Sequence, residues 1–147
     1  MEAQKLSVFF DGGCRVCSWE VQKYLDLDQK LNQPPKLIPV DISRPEFAAK
    51  DLGLDPLQVQ KYFHVMTADG KVIVGVDAFI EIWRTLGSPV SSIAARLAKM
   101  GWVHAALRLG YQIFVQIRPF LPRKKGEPVC DDGTCSIRST STQLRSP

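Results

Sequence analysis

Apolar positions change period several times along the chain, and each change marks an element. Leu6-Ser7-Val8-Phe9-Phe10 is a β-prone run closed by Asp11-Gly12-Gly13, the pattern of a strand entering a turn. From Cys14 to about Leu31 the period becomes helical. Cys17, Val21, Tyr24 and Leu25 recur at i, i+4, i+7 and i+8, Leu27 and Leu31 follow on an adjacent row, and Glu20, Gln22 and Lys23 face elsewhere. Pro34-Pro35 ends that helix and introduces a second strand from Lys36 to Asp41. Its Pro39 lacks an N–H and so predicts an edge or irregular position. Ser43-Arg44-Pro45 predicts a short helix with Ser43 as N-cap, stopping near Gly53, and Asp55-Pro56 starts another to about Lys61.

Two β-prone runs, His64–Thr67 and Lys71–Val74, flank Ala68-Asp69-Gly70, so the third and fourth strands form an antiparallel hairpin. Phe79, Ile82, Trp83 and Leu86 then mark a helix with Asp77 at or near its N-cap and Gly87 after its end. The order β-α-β-α-β-β-α is the thioredoxin-like α/β arrangement, a mixed four-stranded sheet with helices on both faces. A βαβ unit places its two strands parallel. Two additional C-terminal helices follow. Ser88-Pro89 opens the first, with Val90, Ile93, Ala94 and Leu97 on one face. The second runs from Gly101 to before Pro119, and His104, Arg108, Gln112 and Gln116 give it one polar stripe. That stripe makes it an amphipathic helix packed on the domain, not a membrane span. Residues 1–125 thus read as one domain including its C-terminal helices, and 126–147 as a cysteine-containing polar tail, frayed from Ser136 onward.

Composition narrows the class. A 147-residue chain with 45% hydrophobic and 23% charged residues has the balance of one globular domain with a packed core. The net charge of +4 is too small to argue for nucleic acid. Arg118, Arg123, Lys124 and Lys125 read as a solvated basic end, with docking to an acidic partner or a lipid surface as the alternative. Met1 to Leu6 runs into the first strand with no secretory pattern, so a cytoplasmic location is expected.

There, close cysteine pairs are catalytic or metal-binding more often than structural. The four cysteines fall as Cys14 and Cys17, then Cys130 and Cys135. Cys14-Arg15-Val16-Cys17 lies where a strand ends and a helix begins. Unpaired N–H groups of the first turn and the helix dipole stabilise a thiolate at Cys14, and Arg15 adds a nearby cation. The three-residue offset brings Cys17 one turn along, in reach of a mixed disulfide on Cys14. Cys14 is therefore the expected exposed nucleophile and Cys17 the resolving thiol. The competing reading joins all four cysteines in a structural zinc site, giving a zinc-stabilised or non-catalytic interaction module; no cofactor is expected otherwise.

The stretch Phe10-Asp11-Gly12-Gly13-Cys14-Arg15-Val16-Cys17-Ser18-Trp19-Glu20-Val21 resembles the signature of the DCC family of predicted thiol-disulfide oxidoreductases, also called domain of unknown function 393. Asp69-Gly70-Lys71-Val72 with Gly75-Val76-Asp77-Ala78-Phe79 is similar to the family's central block, and Tyr111 through Arg118 to its last helix. The run from Cys130 to Cys135 resembles a cysteine-bearing tail seen in many members. The resemblance spans residues 6 to about 135 and implies a thioredoxin-like fold and exchange with a thiol or disulfide substrate, protein or small molecule, and an electron donor. One departure stands out. Thioredoxins carry a cis-proline just before the third strand that helps bind the substrate backbone, whereas Tyr62-Phe63-His64-Val65 contains no proline.

Other residues carry weaker expectations. Asp11 either takes part in proton transfer or accepts turn N–H bonds, with the second favoured. Gly12 and Gly13 permit positive φ and close approach. Asp77 is a helix cap, His64 and His104 are structural or solvent-facing, and Trp19 either belongs to the core or flanks the cysteine pair, with the core favoured. Cys130 and Cys135 flank Asp131-Asp132-Gly133-Thr134, a turn able to bring them within bridging distance, and read equally as a candidate second redox pair and as an incidental pair in a mobile tail.

Overall fold

The computed structural model describes residues 5–123 and the backbone of 129–131 and 134–136. Four strands make one sheet: β1 (Leu6–Phe10), β2 (Leu37–Asp41), β3 (His64–Thr67) and β4 (Val72–Val74), in the order β2-β1-β3-β4. β1 and β2 are parallel with Leu6 opposite Leu37, while β3 is antiparallel to both β1 and β4. The expected mixed sheet is therefore present, and Pro39 sits on the edge strand where its missing N–H costs no ladder bond. Between the strands run α1 (Arg15–Leu31) and α2 (Pro56–Lys61), and α3 (Val76–Leu86), α4 (Pro89–Ala98) and α5 (Gly101–Ile117) follow. The whole is the thioredoxin-like arrangement with two further helices. A two-stranded hairpin, β5 (Val129–Asp131) and β6 (Thr134–Ser136), lies beyond.

Alternation along β1 decides the layers. Leu6 and Val8 point to the face covered by α1 and α3, where they pack with Val21, Val65, Ala78 and Ile82. Phe9 points the other way, onto Ile42, Ala49, Leu54 and Val59. Burying each such side chain contributes about 1.5–3 kcal/mol, so the strand is held from both faces. Asp28, fully buried on α1, supplies what the hydrophobic period could not announce. Its carboxylate accepts from the backbone N–H of Lys36 and of Leu37, both at 2.7 Å, and from Asn32 Nδ2 at 2.8 Å. It thus fastens the end of α1 to the start of β2.

Several local expectations need correction. The segment after Ser43 forms turns and one 3₁₀ turn, Ala49–Leu52, in place of a helix from Pro45. Ser43 caps nothing; its N–H and hydroxyl both donate to Asp41 Oδ1. The N-cap of α3 is Gly75, at φ 70, and Asp77 lies in the first turn, accepting from His104 Nε2 at 3.1 Å. Trp19 is 58% exposed with Lys23 Nζ 3.6 Å over its ring, so it is no core residue. On α4 the buried residues are Ser91, Ala95 and Ala98, which leaves the face of Val90, Ile93 and Leu97 in solvent. The packing of α5 is thin, with Val115 alone fully buried among its residues. The tail from Ile137 onward lies outside the described residues.

Candidate active site

β1 delivers its last residue to the turn Asp11-Gly12-Gly13, and that turn is fixed by side chains. Asp11 Oδ1 accepts from Gly13 N at 2.9 Å, the turn-forming contact expected of it, and Asp41 Oδ1 at the end of β2 accepts from Gly12 N at 2.9 Å. A Cβ on Gly12 would lie 2.1 Å from Asp41 Oδ2, so close approach is what this glycine provides. Neither Gly12 nor Gly13 has a positive φ. The Ser18 hydroxyl reaches back to Gly12 O at 2.9 Å and joins the first turn of α1 to the loop.

Cys14 is the N-cap of α1, and its Sγ accepts from Cys17 N at 3.4 Å. Cys17 Sγ lies 2.8 Å from Cys14 Sγ and donates to it, both thiols being free. This bond, the Cys17 N–H and the Arg118 guanidinium together outweigh burial and lower the Cys14 pKa to about 5. The same contact raises the Cys17 thiol, and burial pushes it further. The pair is thus polarised, with Cys14 favouring the thiolate and Cys17 holding the proton.

The cation beside the sulfurs comes from far along the chain. Arg15 is exposed. Arg118, at the end of α5, donates through Nη2 to Asp11 Oδ2 at 3.1 Å and through Nη1 to Gln60 O at 2.6 Å. Arg123 Nη2 also meets Asp11, at 3.0 Å from Oδ2 and 3.2 Å from Oδ1. Arg118 and Arg123, expected as part of a solvated basic end, are instead the far half of the site. Arg118, largely buried, and Arg123, partly exposed, thus bring two guanidinium groups to the Asp11 carboxylate, with Arg118 also favouring the Cys14 thiolate.

Arg123 also forms an antiparallel backbone bridge with Cys14. Cys14 is only 3% exposed, and Cys17 is the more open of the two, which corrects the expectation of an exposed nucleophile.

Beside the pair lies a cavity of about 400 Å³ with a largely apolar lining that includes Cys17, Phe63, Phe79, Tyr111, Phe114 and Arg118. Phe63 and Phe79 stack with ring centroids 4.5 Å apart. At the position where a thioredoxin would present its cis-proline, Phe63 N donates to Tyr111 Oη at 2.7 Å and Phe63 O accepts from Gly75 N at 2.8 Å. Both backbone groups of that residue are engaged within the protein. His64, next in line, is buried with Nδ1 2.8 Å from Tyr62 O, and burial lowers its pKa. The contact of Tyr111 with Phe63 spans 48 positions and has no local signature in the sequence.

A family model for DCC1-like thiol-disulfide oxidoreductases matches residues 8–124, a stretch that holds the cysteine pair, Asp11 and both arginines. The chain belongs to this family. An uncharacterized chloroplastic protein of Arabidopsis thaliana is 29% identical over 101 residues, covering 68% of this chain and 40% of the plant protein. The chain therefore corresponds to well under half of that relative's length. No solved structure shows significant similarity. Among the described residues, no helix is long and apolar enough to cross a membrane. In the hairpin, β5 and β6 pair with Cys130 directly opposite Cys135, whereas 124–128, with Lys124 and Lys125 of the expected basic end, and the turn residues 132–133 lie outside the described residues.

Proposed function

We propose that this member of the DCC1-like family exchanges thiols and disulfides through Cys14 and Cys17. The observation that carries the reading is the polarised pair: an N-cap thiolate with a pKa near 5, 2.8 Å from a protonated partner sulfur. In the reducing direction the Cys14 thiolate attacks one sulfur of a substrate disulfide, forming a mixed disulfide as the other substrate sulfur leaves as thiolate and takes a proton. Cys17 then loses its proton and attacks Cys14 Sγ, which closes the Cys14–Cys17 disulfide and releases the second substrate sulfur. Two electrons leave the protein and two thiols form on the substrate. Arg118 holds negative charge at the pair throughout, and Asp11 is a positioning residue that sets the loop and anchors the two arginines.

Substrate approach requires the Arg123 segment to leave Cys14. The engaged backbone of Phe63 favours recognition through the apolar cavity over pairing with an extended peptide in the thioredoxin manner. Cys130 and Cys135 extend the proposal as a second exchanging pair. Supporting this is their register in a hairpin, since directly opposed residues in antiparallel strands have Cα atoms about 4.5–5.5 Å apart, within the span of a disulfide.

Two variants test the main reading in an assay of disulfide reduction. Cys14→Ser and Cys17→Ser both lose activity, and Cys17→Ser alone traps a mixed disulfide with substrate. A trap through Cys17 in Cys14→Ser would reverse the roles. Stoichiometric zinc whose chelation unfolds the protein would replace exchange with the zinc-stabilised interaction module.

A further inference from the structure

The outward faces of α4 and α5 expose an apolar surface that the rest of the described chain does not cover. On α4, Val90, Ile93 and Leu97 are 78%, 58% and 52% exposed. On α5, Trp102, Leu109, Ile113 and Ile117 are 74%, 65%, 56% and 49% exposed, and Phe120 just beyond is 87% exposed. At 3.6 residues per turn the four α5 side chains fall within an arc of about 80°, directly opposite Tyr111 and Val115, which face the body. Apolar surface of this kind, continued over two packed helices, marks an interaction face.

Charge says what the face meets. From Ile82 to Gly126 the chain contains no aspartate or glutamate and eight lysines and arginines. Arg84 is paired with Glu81, and Arg118 and Arg123 with Asp11. Arg96, Lys99 and Arg108 are exposed and have no acidic partner among the described residues. A second copy seated on this face would oppose like charges, which disfavours it as occupant. Exposed tryptophan, leucine and isoleucine flanked by unpaired cations suit the headgroup boundary of an anionic bilayer.

We infer that the protein docks on an anionic lipid surface through this face. α5 lies in the membrane plane, with Trp102, Leu109, Ile113 and Ile117 at the acyl boundary and Arg96 and Lys99, at the end of α4, among the headgroups. The inner face of the same helix walls the cavity beside Cys17. Docking therefore holds the cysteine pair about one helix diameter, roughly 10 Å, from the bilayer. The inference stands on exposure and charge and does not depend on the exchange chemistry.

Co-sedimentation of the full chain with vesicles tests it, using phosphatidylcholine alone and phosphatidylcholine mixed equally with phosphatidylglycerol. The expected result is binding to the mixed vesicles, weakened by salt, and little binding to the neutral ones. Leu109→Glu with Ile113→Glu lowers the vesicle-bound fraction at least about tenfold, and Arg96→Ala alone about fivefold, each with an unchanged circular dichroism melt. Arg96→Ala changes one exposed side chain, so it keeps the test open should the double variant misfold. Absence of binding to the mixed vesicles, or equal binding to both kinds, overturns the inference. A dimer of the wild-type chain that the double variant dissociates, without vesicle binding, assigns the face to a second copy instead.

Discussion

Replacing Cys17 separates the thiol's hydrogen bond from everything else that stabilises the Cys14 thiolate. The bond from Cys17 Sγ is the largest contribution lowering the Cys14 pKa from 9.0 to about 5; the Cys17 N–H and Arg118 also lower it, against burial. A hydrogen bond to a charged acceptor contributes about 1.5–3 kcal/mol, or roughly one to two pH units at 1.36 kcal/mol each. Cys17→Ala therefore moves the Cys14 midpoint up to roughly 6–7, whereas Cys17→Ser, which retains a donor, keeps it near the wild-type value. Thiolate absorbance at 240 nm against pH, or the pH profile of iodoacetamide modification, reads the midpoint directly. Stability follows with a defined sign. Because the folded pKa is depressed, the ionised thiol stabilises the reduced protein fully above pH 9, and that stabilisation is lost as pH falls through about 5. At pH 7 it amounts to about 3 kcal/mol relative to acid, and Cys17→Ala removes about half or more of it. An unchanged midpoint in Cys17→Ala, or equal rises in Cys17→Ala and Cys17→Ser, would refute the view that the thiol proton holds the thiolate.

Arg123→Ala removes two contacts to Asp11 beside the backbone bridge over Cys14, so iodoacetamide modifies Cys14 faster by about tenfold; an unchanged rate at a pH well above 5 means that the segment does not limit access. Asp28→Ala leaves the N–H groups of Lys36 and Leu37 without their acceptor and lowers unfolding stability by about 3 kcal/mol in a urea titration; a loss within experimental error of zero contradicts the assigned clamp. In the oxidised chain, proteolysis and mass spectrometry yield a Cys130–Cys135 linked peptide. Scrambled links from Cys130 to either N-terminal cysteine, in equal amount, contradict the paired hairpin.

The fold was legible where local period and punctuation agree. Asp69-Gly70 between two β-prone runs, the change of period at Cys14 and the Ser88-Pro89 start each specify their element from a handful of neighbours. Legibility failed after Ser43, where Pro45 permits a helix start equally well as a turn and Asp41 drew the serine into the turn. It failed again at Asp28. A carboxylate inside a helical pattern reads as a solvent-facing residue until a strand brings two unpaired N–H groups to it.

For the site, the sequence by itself determined the chemistry of its near half. A dithiol at a strand-to-helix junction needs only the four residues from Cys14 to Cys17 and the helix terminus they cap, all local quantities. The tertiary structure decided the other half. Arg118 and Arg123 reach Asp11 across 107 and 112 positions, and no local pattern encodes which distant cation will neutralise a buried carboxylate and thiolate. It also decided which side of α4 and α5 meets the body. Periodicity shows that a helix has an apolar face, but which face is buried depends on what lies beside it. Small Ser91, Ala95 and Ala98 allow close packing, and so the larger Val90, Ile93 and Leu97 are left outward.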